Sequence, residues 1–168
     1  GRRPVATKNA ANRLLDQALR DARRAGIWRS RSKLAAVDGS GFEAHHVSHY
    51  FVRRRSRGDK TLKSMTYRRF PKVGLMADCR THLVLAAVPG RGPGPDHLHI
   101  KQVMCDAHIR AEIDTALADA GYDAEWVHEY LRLEHSVPII IPPLIGRPTE
   151  KPPSTYYRHC MRKYFKRP

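Results

Sequence analysis

The sequence is short of negative charge. Its 168 residues hold 16 Asp and Glu against 31 Lys and Arg, a formal surplus of +15. Long apolar runs are missing too: no span approaches the roughly 18 residues of a transmembrane helix, and no basic amphipathic helix stands out as a membrane-surface anchor. Cysteine is scarce. Cys79, Cys105 and Cys160 show no paired spacing, which excludes a disulfide framework and argues for free thiols in a reducing, cytoplasmic compartment. No signal peptide opens the chain. It begins at Gly1 rather than Met, the mark expected of a fragment or processed product. There is no internal repeat. The Gly-x-Ser-x-Gly spacing is absent, so Gly39-Ser40-Gly41 is not a nucleophile elbow.

What is present is one domain's worth of chain with 41% apolar residues, enough for a real core. The charge is unevenly spread. Residues 1–33 carry net +8, residues 53–72 net +8 and residues 147–168 net +6, whereas residues 34–52 carry −2 and residues 73–146 carry −5. A slightly acidic core block interrupted and flanked by basic segments suits a polyanionic partner, and nucleic acid leads. In residues 53–72, Arg53, Arg54, Arg55, Arg57, Lys60, Lys63, Arg68 and Arg69 have the density to track a DNA backbone. A solvated loop is their other reading.

Periodicity predicts a helix over residues 9–25 with Leu14, Leu15, Ala18, Leu19 and Ala22 on one face, stopped by Gly26. A strand follows at 34–37. Residues 72–77 and 82–88 read as a hairpin turning at Asp78-Cys79-Arg80-Thr81. Asp96 reads as the N-cap of a helix running to about Ala107. Residues 114–119 read as a short strand, 124–134 as a helix, 137–141 as a buried strand and 156–165 as a further helix. A hairpin followed by alternating helices and strands predicts an α/β fold with a mixed sheet.

Two of these strands end on an acid. Asp38 closes "LAAV" and Asp119 closes "TALA". A carboxylate there is costly unless something pairs with it. In neighbouring strands about 4.8 Å apart, two such acids reach one divalent cation, and Gly39, Ser40, Gly41 and Gly121 leave room for a phosphate. Carboxylates, water and substrate phosphate are how Mg²⁺ is usually held. Acids at strand ends also serve as turn formers and caps, and that reading stays open here.

The pieces "AAVDGSGFEA" at 35–44, "KVGLMADCRTHLVLAAVPGRGPGPDH" at 72–97 and "ALADAGYDAEWVHEYL" at 116–131 together resemble the Asp-Asp-Glu transposases of bacterial insertion sequences. "VPIIIPP" follows in the expected order. The resemblance spans about residues 34–145. It implies an RNase H-like, mixed five-stranded sheet flanked by helices, with a basic N-terminal helical segment (1–33), a catalytic core (34–145) carrying the basic insertion, and a Pro-rich basic tail (146–168). It implies Asp38 and Asp119 as catalytic, metal-holding acids, with Asp123 as runner-up for the second. It also implies Mg²⁺ or Mn²⁺ as cofactor, DNA at element ends and target as partner, a homodimer in the intact protein, and a nucleoid-associated setting.

The family's third acid is a Glu in a Tyr-x-x-Arg-x-x-x-Glu setting. Four residues after Arg158 stands Arg162, and Glu150 sits in a Pro-rich loop. The expectation is a core truncated before its third acid and weak or dead as it stands. The alternatives are a non-catalytic DNA-binding remnant and an RNase H-like nuclease completed by an internal Glu. Glu125, Glu129 and Glu134 read as a solvated helix face. His45, His46 and His49 read as surface or strand-edge histidines rather than a zinc site. Tyr122 and Trp126 read as core packing, and Asp78 as a hairpin-turn residue.

Overall fold

The computed structural model describes residues 5–42, 70–92, 94–143 and 154–166. Helix α1 (Val5–Arg24) stops just before Gly26, whose φ of +72° suits a residue without Cβ. Leu19 and Ala22 are buried as expected, but Leu14 is 72% exposed and Ala18 is exposed as well. The helix rests mainly on the sheet through the stripe Leu15, Leu19, Ala22. At 100° per residue, Leu14 turns away from that stripe and Ala18 lies at its edge.

After α1 come β1 (Arg31–Ser32), β2 (Ala35–Gly41), β3 (Phe70–Asp78) and β4 (Val84–Gly92). A 3₁₀ turn (Asp96–His99) leads into α2 (Ile100–His108), followed by β5 (Glu112–Ile113) and β6 (Ala116–Ala118). A second 3₁₀ turn (Ala120–Tyr122) precedes α3 (Glu125–Glu129), which widens into a π turn at Tyr130–Glu134. Strand β7 (Ile139–Ile140) and helix α4 (Tyr156–Tyr164) complete the order.

Five strands form one sheet in the order β4-β3-β2-β6-β7. The β2–β3 and β3–β4 pairs are antiparallel, and the β2–β6 and β6–β7 pairs are parallel. With helices packed against it, this is the mixed RNase H-like sheet that the resemblance implied. Strands β1 and β5 form a separate parallel pair. At two residues each they are too short to show any periodicity.

Packing explains the sheet. Alternate residues of β2, Ala35 and Val37, are buried and Ala36 is exposed, the signature of a strand with one face on a core. On β3 the buried positions are Lys72, Gly74, Met76 and Asp78. Helix α2 covers β3 and β4 with Ile100, Val103, Met104 and Ala107, all fully buried. At the hairpin tip, Asp78 accepts hydrogen bonds from Ser32 Oγ (2.6 Å), Thr81 N (2.7 Å) and Thr81 Oγ1 (2.6 Å). Burial alone would raise its pKa, but those bonds outweigh it and hold the carboxyl below its usual range. Asp78 is therefore the turn residue expected, and a buried one.

Helix α4 is docked by two acids from the stretch after β6. Glu125 accepts from the backbone N–H of Tyr157 (2.8 Å) and Arg158 (3.1 Å), so it caps α4 rather than facing solvent as the sequence suggested. Asp123 takes both ends of the Arg158 guanidinium fork, at 2.9 and 3.0 Å. His128 is fully buried against Tyr157, with ring centroids 6.0 Å apart. Among the described residues no helix is long and apolar enough to cross a membrane, and all three cysteines are free thiols.

Two outcomes follow from this docking. Arg158→Met leaves the Asp123 carboxylate without its guanidinium fork. It is expected to cost about 1–3 kcal/mol and to speed proteolysis and amide exchange in α4 ahead of the sheet. Burial lowers the pKa of His128 from the ordinary 6.5, aided by Arg132 and Arg158 and opposed by Glu125 and Asp123. The imidazole is thus neutral in the fold, and its contribution is complete above about pH 6.5 and lost as pH falls. Burial and His135 lower His108 in the same direction. The melting temperature should therefore drop between pH 7.5 and 5.5, and His128→Phe should flatten that drop without abolishing it.

Candidate active site

Strand β2 pairs with β3 along its whole length, but with β6 only from Ala35 to Val37, where Val37 stands opposite Ala118. The next residue on each strand is an acid, Asp38 on β2 and Asp119 after β6. Both strands run the same way, so the two acids leave the sheet at the same end, from strands about 4.8 Å apart. Asp38 does not end its strand, as the sequence suggested. It stands where the β2–β6 pairing stops, while β2 continues to Gly41 along β3. That divergence opens the sheet at the carboxyl ends of its parallel strands, the usual location of sites in open α/β sheets.

Each acid is oriented locally. Asp38 Oδ1 accepts from the Gly39 N–H at 2.7 Å, and Asp119 Oδ1 accepts from the Gly121 N–H at 2.9 Å. The latter bond caps the 3₁₀ turn Ala120–Tyr122. Partial burial raises the pKa of Asp119. The Gly121 N–H opposes the rise, Asp38 and Asp96 add to it, and Lys72 counteracts it. Four charged groups thus share one electrostatic neighbourhood. Beneath them lies Tyr122, 1% exposed, whose hydroxyl is pushed far up by burial and then by Asp96, Asp38 and Asp119. It stays neutral.

Sequence reasoning missed Lys72 and misread Asp96. Asp96 is not the N-cap of its turn; Pro95 holds that position. The Asp96 carboxylate instead forms an ion pair with Lys72 Nζ, which also donates to the Gly94 carbonyl at 2.9 Å. The Lys72 side chain is only 8% exposed. A signal existed: Lys72 shares its strand parity with Gly74 and Met76, and a lysine on a buried parity demands a partner. Gly39 makes room for the pair. A Cβ there would overlap the Asp96 carboxylate, lying 2.8 Å from Asp96 Cγ and 3.1 Å from Lys72 Cε. On the Asp119 side, a Cβ on Gly121 would lie 3.6 Å from both Asp96 Oδ2 and Asp119 Oδ2.

The flank of the site is aromatic and basic. His97 Nδ1 lies 3.4 Å from the Gly121 carbonyl, and its ring meets Trp126 edge-on at 5.7 Å. Lys101 Nζ sits over Trp126 at 5.8 Å and over Tyr130 at 4.9 Å. Tyr122 is core, as expected, and Trp126 packs partly against it.

Other candidate residues lie elsewhere. Asp123, the runner-up for the second acid, has a side chain 4% exposed and engaged with Arg158. Glu125 is committed to α4, and Glu129 and Glu134 are exposed. Arg53, Arg54, Arg55, Arg57, Lys60, Lys63, Arg68, Arg69, His45, His46, His49 and Glu150 lie outside the described residues.

Asp38 and Asp119 supply hard oxygen donors from adjacent strands, and a cation between them would offset both the burial that chiefly raises Asp119 and the repulsion from Asp38 that adds to it. Among the described residues no group of three or more His, Cys, Asp or Glu could hold a metal ion. Two protein carboxylates suit an ion that keeps most of its positions for water and phosphate, as Mg²⁺ does. The residues present therefore fit a divalent metal.

The close packing at Gly39 is testable in the unliganded protein. Gly39→Ala must push the Asp96 carboxylate aside and is expected to cost about 1–3 kcal/mol in thermal or urea unfolding. Gly94→Ala is the control: its Cβ would meet nothing nearer than the Arg91 carbonyl at 3.6 Å, and it should be close to neutral.

No curated protein matches the chain. Comparison with protein families matches residues 29–167 to the transposase DDE domain, a family that works on DNA with divalent metal ions. That match covers both acids, the whole five-stranded sheet, the Lys72–Asp96 pair and helix α4. The chain belongs to the DDE transposase family.

Proposed function

We propose that this chain carries the catalytic core of an insertion-sequence transposase, with Asp38 and Asp119 as the two acids that hold its metal. The reading is carried by one observation: the parallel register that sets Val37 opposite Ala118, and so sends the two following carboxylates out of the sheet side by side. Residues 34–145 form the core in this reading, and the basic segments on either side and within it form the DNA-holding arms.

A divalent metal, Mg²⁺ by the hardness of its donors, would activate the attacking hydroxyl and stabilise the leaving oxygen of a phosphodiester. The chain's own residues do the positioning. Asp38 and Asp119 would hold the ion, each kept in place by the adjacent backbone N–H. Gly39 leaves space for the Lys72–Asp96 pair, and Gly121 keeps a side chain out of the path by which a DNA phosphate approaches. Arg53, Arg54, Arg55, Arg57, Lys60, Lys63, Arg68 and Arg69 would neutralise backbone phosphates on either side of the scissile one. The outcome in an intact enzyme is hydrolysis at element ends, followed by attack of the freed 3′-hydroxyl on target DNA. A homodimer would hold the two ends together.

Within residues 1–168 no Glu completes the Tyr-x-x-Arg-x-x-x-Glu pattern: Thr155 stands three before Arg158 and Arg162 four after it. This observation favours a second reading, a DNA-binding remnant that no longer cuts. The nuclease alternative has no such support, because Glu125 is tied to α4 and Glu129 and Glu134 face solvent.

Supercoiled-plasmid nicking with Mg²⁺ or Mn²⁺ decides between the two. The enzyme reading expects slow, metal-dependent nicking that falls at least about a hundredfold in Asp38→Ala and in Asp119→Ala. Salt-sensitive DNA binding with no nicking, identical in parent and variants, supports the remnant and overturns the enzyme.

A further inference from the structure

We infer that Lys72 and Asp96 form a positioning pair that sets the charge of the carboxylate site, and so its affinity for a divalent cation, without either residue touching that cation. The inference rests on the reading of Asp38 and Asp119 as the metal-holding acids.

The geometry points this way from three sides. The Lys72 side chain is 8% exposed and that of Asp96 is 28% exposed, so the ammonium is almost entirely out of water. A buried charge of that kind persists only when it is paired. Lys72 meets the Asp96 carboxylate and the Gly94 carbonyl, which between them use two of its three donors. Next, the pair is wedged between the residues that follow the two acids. Asp96 fills the space that a Cβ on Gly39 would need, and its Oδ2 lies on the Asp119 side of Gly121. Finally, Asp96 is not a third ligand. Its Oδ1 is committed to Lys72, and among the described residues no three acids gather closely enough to hold one ion.

The charge balance then has a simple form. Asp38, Asp96 and Asp119 bring three negative charges and Lys72 brings one positive charge. With Lys72 and Asp96 neutralising each other, the opening carries the charge of two carboxylates, which matches one divalent cation. Removing either partner upsets that balance in opposite directions. Lys72→Met releases a third carboxylate beside Asp119, and the site becomes more attractive to a cation. Asp96→Asn releases an ammonium that lies close enough to act on Asp119, and that ammonium competes with the cation. Removing both restores the original net charge. Loss of packing alone has no such pattern: it would weaken binding in both single variants, and most in the double.

The test is Mn²⁺ binding to the whole chain, followed by electron paramagnetic resonance of the free ion and by calorimetry, at pH 7 and low salt. Circular dichroism and melting temperature establish that each variant is folded. Asn matches the shape of Asp and Met keeps most of the aliphatic stem of Lys, so the comparison survives some loss of stability. The expected result is binding about tenfold tighter in Lys72→Met, about tenfold weaker in Asp96→Asn, and near the parent value in the double variant. Changes of the same sign in the two single variants, or no change in either, overturn the inference while leaving Asp38 and Asp119 as ligands. Asp38→Asn separates the two levels. If the parent binds Mn²⁺ no better than Asp38→Asn does, the metal-holding reading itself falls, and the inference with it.

Discussion

The molecule turns on the double pairing of one strand. Strand β2 runs antiparallel to β3 on one side and parallel to β6 on the other, and the two partnerships differ in length. The longer one holds β2 straight to Gly41. The shorter one ends at Val37, so the sheet parts on that side alone. The position of the site follows from this mismatch: it sets where the acids emerge and on which side the sheet opens. A one-residue slip of β6 would send Asp119 to the opposite face of the sheet, and no adjustment of side chains would bring it back.

Much of this architecture was legible from local pattern. The short apolar runs before Asp38 and Asp119, the hairpin signal around Asp78 and the stop at Gly26 each rest on the composition or the backbone freedom of a few neighbouring residues. The Gly-flanked acids stood out because polar residues rarely close an apolar strand without a reason. What escaped notice is what depends on distant partners. Lys72 was counted among the basic residues of its segment, although its strand parity turns it inward toward Asp96. Glu125, on the helix that follows the second acid, reads as solvated, whereas its partners are the backbone amides of Tyr157 and Arg158, more than thirty positions away. Strands β1 and β5, two residues each, have no period to detect.

Basic residues in this chain answer to two different constraints. Most of the surplus lies in segments rich in Arg, where exposure is cheap and a polyanion can be gripped. Lys72, Arg110 and Arg158 are of another kind. Lys72 and Arg110 have side chains 8% exposed, and Arg158 is 33% exposed; each meets a carboxylate from a remote element, namely Asp96, Asp16 or Asp123. They behave as internal fasteners that join the ends of the sheet to the surrounding helices. Net charge alone would have merged these two populations.

Asp78, its carboxylate tied to Ser32 and Thr81, sits opposite Ala35 at the start of β2. The tied start of β2 and the point where its pairing with β6 stops are therefore close together on a single strand. A knot of neutral hydroxyls and one acid anchors the start of the strand. Residues at the opening can therefore change without loosening the end that holds the strand in place.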